Sequence, residues 1–267
     1  MKLTIATWNI NSVRLRAPQV ARFLQDYAPD VLCLQETKCP DDQFPHKIFR
    51  SEGYEHIAIN GQKGYNGVAL ISRLELGAVE KRSFCGKGDT RHISASLVGV
   101  PGKPVIHNFY VPAGGDEPDP RVNEKFAHKL DFLEEMENWF AKSFGDEHRI
   151  MVGDLNIAPL PDDVWSHRQL LKVVSHTPVE VEYLQRVQKA GAWLDVMRAH
   201  VPEPEKLFTW WSYRSRNWRE SNRGRRLDHI WASPALGEKC ANMQIIDDAR
   251  GWERPSDHAP VLADFEL

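Results

Sequence analysis

The chain has 267 residues, with 34 Lys+Arg against 37 Asp+Glu, a formal net charge of −3, 42% hydrophobic residues, 9 Trp and 4 Cys. Its apolar fraction excludes a disordered chain, no apolar run approaches the roughly 18–20 residues of a membrane-spanning helix, and the length suits one large domain with a sizeable core. A chain this near neutrality also argues against a phosphate polymer as partner, unless the average conceals a local patch.

The first residues, Met1-Lys2-Leu3-Thr4, turn polar quickly and lack a small-residue cleavage site, so no signal peptide is expected. Cys33, Cys39, Cys85 and Cys240 show no paired spacing, and Cys33 lies inside the apolar run Val31–Leu34. Neither zinc nor disulfides are implied, and a reducing, cytoplasmic compartment is expected. In chain order, short β-branched or apolar runs predict strands over Leu3–Trp8, Val31–Gln35, Gly67–Ser72, His92–Val98, Val105–Val111, Arg149–Gly153, Arg226–Ala232 and Pro260–Phe265. A helix is predicted over Arg14–Tyr27. Val122, Phe126, Leu130, Leu133, Met136, Trp139 and Phe140 recur at three- and four-residue spacing and predict an amphipathic helix over Arg121–Phe144, stopped by Gly145. Thr177-Pro178-Val179-Glu180 opens another with a capping box and proline at the first helical position, and Gly191 closes it. Asp116–Pro120 reads as an exposed loop between elements that share one core. The expected architecture is therefore a single α/β domain spanning 1–267, with two mainly antiparallel sheets packed together and helices outside. Without strict strand-helix alternation, TIM-barrel and Rossmann folds are disfavoured.

The strands end in polar groups: Asn9, Glu36, Tyr110, then Asp154 with Asn156, Asp228, and Asp257-His258 before the last strand. One such ending is ordinarily a turn-former, but their repetition suggests convergence at one rim, where rigid sheets fix geometry. Glu36, Asp257 and Asn9 are hard oxygen ligands of the kind Mg²⁺ prefers, few enough to leave room for water and a substrate phosphate. Such a metal stabilises charge on phosphoryl oxygens. Asp154 and Asn156 alternate toward one side and would place an acceptor and an amide donor on an attacking water. His258 beside a carboxylate can bind a phosphate oxygen or move a proton, and Tyr110 adds a phenolic donor. The proton acceptor is open between Asp154 and His258. At Asp228-His229 alternation sends the side chains to opposite faces, and Asp228 is assigned to the site.

Trp8-Asn9-Ile10-Asn11, Leu34-Gln35-Glu36-Thr37-Lys38, Gly67-Val68-Ala69, Tyr110-Val111-Pro112, Gly153-Asp154-Leu155-Asn156, Arg226-Leu227-Asp228 and Ser256-Asp257-His258-Ala259-Pro260 together resemble, in order, the signature motifs of the exonuclease III family of the endonuclease/exonuclease/phosphatase superfamily. The resemblance runs from residue 4 to residue 265. It implies a four-layered α/β sandwich and a phosphodiesterase dependent on Mg²⁺, with Mn²⁺ as a substitute. By position, Glu36 would be the principal metal ligand, with Asn9 and Asp257 near the ion; Asp154, Asn156 and His258 also match metal-site positions. Asp154 would activate or orient the water with Asn156 beside it, Asp228 would polarise His258, and Tyr110 would contact the scissile phosphate. Arg91 and Lys125 resemble positions that touch the DNA backbone or lie beside the site. Ala113 departs from the family's usual Asn or Gln, and Asp162–Glu180 looks like a bacterial branch.

Between Lys206 and Trp231 the charge average breaks down. Lys206, Arg214, Arg216, Arg219, Arg223, Arg225 and Arg226 face only Glu220 and Asp228, a local +5, among Phe208, Trp210, Trp211, Tyr213, Trp218 and Trp231. Arginines for phosphates set among rings for stacking are the elements of DNA binding, and Trp210, Trp211 and Arg214 are the expected contacts. Adjacent Trp210 and Trp211 cannot both face the core of a strand, so one is expected to line a pocket for a base-free sugar. The expected partner is double-stranded DNA, abasic or 3′-blocked, cut by a monomer without membrane contact, in the cytoplasm at the bacterial nucleoid. A phosphodiesterase of lipid or inositol phosphates is disfavoured by this stretch. A non-catalytic DNA-binding relative is disfavoured because every expected acidic and histidine position is filled.

Overall fold

The computed structural model describes residues 1–143 and 148–267. Strand β1 (Lys2–Asn9) passes through helix α1 (Val13–Tyr27) into β2 (Val31–Gln35); after α2 (His46–Ser51) follow β3 (His56–Asn60), β4 (Val68–Ser72), β5 (Leu76–Glu80), β6 (His92–Leu97) and β7 (Val105–Tyr110). Helix α3 (Glu124–Ser143) precedes β8 (Arg149–Asp154), then come α4 (His167–Leu170), α5 (Pro178–Ala190), β9 (Leu194–Asp195) and α6 (Val196–His200). The last part holds β10 (Trp210–Trp211), α7 (Trp218–Ser221), β11 (Gly224–Arg225), β12 (Asp228–Ala232), α8 (Pro234–Gly237), β13 (Cys240–Ile245) and β14 (Val261–Glu266).

Two six-stranded sheets form, in the orders β13-β14-β1-β2-β4-β3 and β5-β6-β7-β8-β12-β9. Each is antiparallel except for its central pair, β1–β2 in one and β7–β8 in the other. A parallel pair needs a long crossover, which α1 and α3 provide. Alternation along each strand then sorts the side chains into layers. Leu3, Ile5, Val31, Cys33, Ile106, Ile150, Val152 and Ile230 meet between the sheets. Ala6, Trp8, Leu32 and Leu34 face α1 and α2, whereas Phe109, Met151 and Trp231 face α3 and α5. The result is the four-layered α/β sandwich.

Two boundaries differ from expectation by more than one residue. Helix α3 begins at Glu124 because Asn123 caps it, its Oδ1 accepting the Lys125 and Phe126 N–H groups at 3.0 and 3.4 Å. Val122, counted into the apolar stripe, lies outside the helix and is 74% exposed. The expected end at Phe144 and the stop at Gly145 lie outside the described residues. The last site strand begins at Asp228 rather than Arg226, because the Arg226 N–H bonds to Asp163 O at 2.8 Å. The Thr177–Glu180 capping box forms, and Gly191 caps the helix end.

Candidate active site

The site occupies the end of the intersheet layer. Following the inward rows, Leu3 and Ile5 lead to Thr7 and Asn9, Ile106 to Asn108 and Tyr110, Ile150 and Val152 to Asp154, and Ile230 lies two residues from Asp228. Register joins the rows: Asp154 pairs with Tyr110 on one side and Asp228 on the other. The side chains that would continue the core as apolar layers are thus polar at this rim, at the carboxyl ends of both parallel pairs. Gly153 is required there, since a Cβ would stand 1.9 Å from Phe109 O. Beneath the rim, Gln35 Nε2 donates to Asn108 Oδ1 at 2.7 Å, and Asn108 Nδ2 donates to Leu34 O and Ala69 O, fastening the sheets together.

Glu36 enters from the turn after β2 with φ 49°, and Lys38 has φ 49° as well. Left-handed backbone at such residues costs about 1–2 kcal/mol each, and hydrogen bonds from Thr37 N to Gly67 O and Lys38 N to Asn66 O hold the turn. Asn9 Nδ2 donates to Glu36 Oε1 at 3.0 Å and to Asp154 Oδ2 at 2.8 Å. Its Oδ1 accepts the Asn11 N–H at 3.1 Å, which fixes the amide orientation. Asn9 therefore ties both carboxylates together through its amide nitrogen. Burial alone would raise Glu36, but Lys38 Nζ, 2.7 Å from Oε2, and the Asn9 amide hold its carboxyl below the usual range. Asp257 Oδ2 accepts Trp210 Nε1 at 2.9 Å, and Oδ1 faces Asn11 Nδ2 at 3.3 Å.

His258 is almost wholly buried, with Nδ1 2.8 Å from Asp228 Oδ2 and Nε2 3.7 Å from Asp154 Oδ2. Thr209 Oγ1 donates to the same Asp228 oxygen at 2.7 Å, while Trp8 Nε1 holds the His258 carbonyl at 2.9 Å. Burial disfavours the imidazolium, but Asp228 and Asp154 overcome it and push His258 up to about 10. Burial pushes Asp154 up to about 7, with His258 pulling down and Asp228 pushing up. Asp154, Asp228 and His258 each offer a ligand atom, all within 4.8 Å of one another. Asn156 turns back with φ 54°, its N–H on Asp154 Oδ1 at 2.9 Å and its Nδ2 on Val111 O at 2.9 Å. Burial, then Glu36 and Asp154, push the Tyr110 phenol well above its ordinary range.

A cleft of about 890 Å³ opens over Glu36, Tyr110, Asp154, Asn156, Asp257 and His258. Trp210 lines it. Trp211 does not: it is 5% exposed, packs against Phe208 and Trp218, and bonds Asn222 through Nε1 at 3.0 Å, which corrects its expected place among the contacts. Arg214 is exposed on the cleft wall. Arg91 is tied to Asp89 at 2.8 Å and lies 4.9 Å from the Tyr110 ring, so it orients that ring. Lys125 is exposed on a shallow depression that adjoins the cleft at Gly115 and Asp116.

The +5 stretch is also partly internal. Arg226 is fully buried between Asp163 and Asp195, Lys206 pairs with Asp162, and Arg219 with Asp247 and Asp248. Unmentioned in the sequence reading, Lys129 sits fully buried against Glu180 and donates to Asn156 O at 2.8 Å and Ala113 O at 3.3 Å. Its position in the amphipathic stripe, where an aliphatic residue would fit, and the capping-box identity of Glu180 were the available signals.

A two-sheet α/β sandwich whose parallel pairs end together in carboxylates, amides and a carboxylate-bound imidazole defines a phosphodiester hydrolase. The chain matches the Endonuclease/Exonuclease/phosphatase family over residues 6–258. It belongs to that family, and within it to the exonuclease III group. It is 34% identical over 270 residues to exodeoxyribonuclease III of Haemophilus influenzae, covering 97% of this chain and 98% of the relative. Among solved structures it is similar to an AP endonuclease from Archaeoglobus fulgidus, with TM-score 0.91 and 34% identity over 99% of this chain and 100% of that one. The 3′ phosphatase NExo from Neisseria, bound to product DNA hairpin, gives TM-score 0.89 and 31% identity, with 99% and 100% covered.

Proposed function

We propose that the chain is a Mg²⁺-dependent DNA-repair phosphodiesterase acting on double-stranded DNA: an endonuclease 5′ to abasic sites, a 3′-to-5′ exonuclease, and a 3′-phosphatase and 3′-phosphodiesterase. What carries this reading is the convergence of Glu36, Asp154, Asp257 and the Asp228–His258 pair on the floor of a cleft whose wall presents Trp210 and Arg214. The names of the relatives support the substrate. The same reading makes the protein a monomeric single domain in the bacterial cytoplasm; among the described residues no helix is long and apolar enough to cross a membrane.

The donor set fits a hard divalent cation, being rich in oxygen, with Glu36 and Asp257 reaching the cleft. Mn²⁺ would share the site. When bound, the ion supplies Lewis-acid stabilisation of charge on the phosphoryl oxygens. Asp154, its oxygens fixed by the Asn9 amide and the Asn156 N–H, accepts the proton of the attacking water. His258, kept protonated by Asp228, turns Nε2–H toward a phosphate oxygen, and Tyr110 donates its phenolic hydrogen from the same floor. Trp210 forms the wall against the outgoing residue, and Arg214 grips the backbone. Arg91 acts through Tyr110, and Lys125 supplies charge outside the cleft.

A labelled duplex with one abasic analogue tests the reading. Internal incision or 3′-end shortening in Mg²⁺ and neither in EDTA is expected; no cleavage in Mg²⁺ would overturn it. Glu36→Gln and Asp154→Asn should each lose on the order of 10²–10⁴-fold in rate while still binding the duplex.

A further inference from the structure

Beyond Trp210 the cleft wall holds a cation that this chemistry leaves unused. Arg225 is the register partner of Trp210 across the β10–β11 pair, with its guanidinium carbon 5.3 Å from the ring centroid. Nη1 is anchored by donation to Val174 O at 3.0 Å and Ser175 Oγ at 2.8 Å. Nε is buried without a partner, and among the described residues Nη2 makes no hydrogen bond and Arg225 no ion pair. Its neighbours Arg219 and Arg226 are both paired with aspartates. Burial pushes the guanidinium below its ordinary range, with only Glu180 opposing. Nη2 is the end of the guanidinium left to grip a carboxylate or phosphate, with the buried, unpartnered Nε behind it leaving the positive charge uncompensated. Trp210 joins this end to the reaction floor, since its indole N–H is bonded to Asp257.

We propose that Arg225 and Trp210 form an anion subsite next to the reacting phosphate, so that among blocked 3′ termini the enzyme prefers those whose outgoing fragment carries a second negative charge. The proposal rests on the reading of the chain as a 3′-end phosphodiesterase. In that reaction the water oxygen bonds to phosphorus, the P–O3′ bond breaks, O3′ takes a proton, and the fragment leaves as a phosphate monoester with its second anion beside Arg225. Two fragment chemistries suit the fork, a carboxylate and a phosphate.

The test uses hairpin duplexes whose 3′ phosphate is esterified to a two-carbon group ending in a carboxylate, in its isosteric carboxamide, or in a phosphate. With wild-type enzyme and Mg²⁺, kcat/KM for the carboxylate or phosphate block should exceed that for the carboxamide by about 10- to 100-fold, the value of a charge-assisted hydrogen bond. The larger of the two ratios identifies the preferred anion. In Arg225→Met the ratios should fall to about 1, and Arg225→Lys should restore part of them. Each ratio is internal to one protein, so loss of folded enzyme does not alter it. Equal rates on all three blocks by wild type would overturn the subsite while leaving the phosphodiesterase reading intact. No release of any block would overturn both.

Discussion

At the residue scale the active floor is organised by one proton. His258 in the folded chain lies well above the ordinary histidine value of about 6.5, because Asp228 and Asp154 outweigh its burial. Its contribution to stability is therefore fully present below about pH 6.5 and is lost as the pH rises through about 10. Asp228→Asn removes the principal partner. Urea unfolding should show the gap between wild type and this variant largest at or below about pH 6.5 and narrowing toward pH 10. A gap that widens with pH would show that Asp228 does not hold an imidazolium. The adjacent tryptophans separate chemistry from folding in the same way. Trp211→Ala removes a buried ring and should cost about 3–5 kcal/mol in unfolding free energy while the folded fraction still cuts. Trp210→Ala breaks the bond to Asp257 and opens the wall, so abasic-site selectivity should fall with a smaller thermal shift.

At the scale of elements, α3 and α5 are locked by Lys129 and Glu180, both wholly buried. Glu180 also accepts Ser175 N at 3.0 Å and Thr177 N at 3.1 Å, and Lys129 reaches the carbonyls of Ala113 and Asn156, so one ion pair holds two helices and both loops flanking the floor. Removing one partner leaves the other charge uncompensated: Lys129→Met and Glu180→Gln should each lose about 3–5 kcal/mol in denaturant melts, and the double variant clearly less than their sum. Strict additivity would show that the pair does not couple the helices. This lock illustrates what the sequence conceals. The central strands were legible because both their faces are buried, which writes continuous apolar runs such as Val31–Leu34. The edge strands β5 and β13 were not, since exposed positions such as Val79 and Gln244 leave too little apolar pattern to read. Among site residues, those ending apolar rows stood out. Thr209, 19 residues from its partner Asp228, and Lys129, 51 from Glu180, act through contacts that only folding creates.

At the scale of the whole molecule, two similar halves, each a parallel pair crossed by a helix, bring their carboxyl ends to one rim, and a nearly neutral chain thereby separates its charges. Carboxylates gather on the floor, while the basic stretch divides into cations that build the fold and cations left for phosphates. Arg226, chelated by Asp163 and Asp195, belongs to the first kind, and the exposed Arg214 to the second. Counterion release distinguishes them, because each phosphate neutralised contributes about 0.9 to the slope of log affinity against log salt on duplex DNA. In Ca²⁺ in place of Mg²⁺, anisotropy titrations across a salt series should give Arg214→Ala a slope shallower by about one phosphate contact, with little change in unfolding free energy. Arg226→Ala should behave in the opposite sense, losing about 3–5 kcal/mol of stability because Asp195 loses its guanidinium and Asp163 is left with Arg198, while its folded fraction keeps the wild-type slope. A shallower salt slope in a folded Arg226→Ala protein would return that arginine to the DNA-binding surface, and with it the charge division that separates the cleft wall from the core.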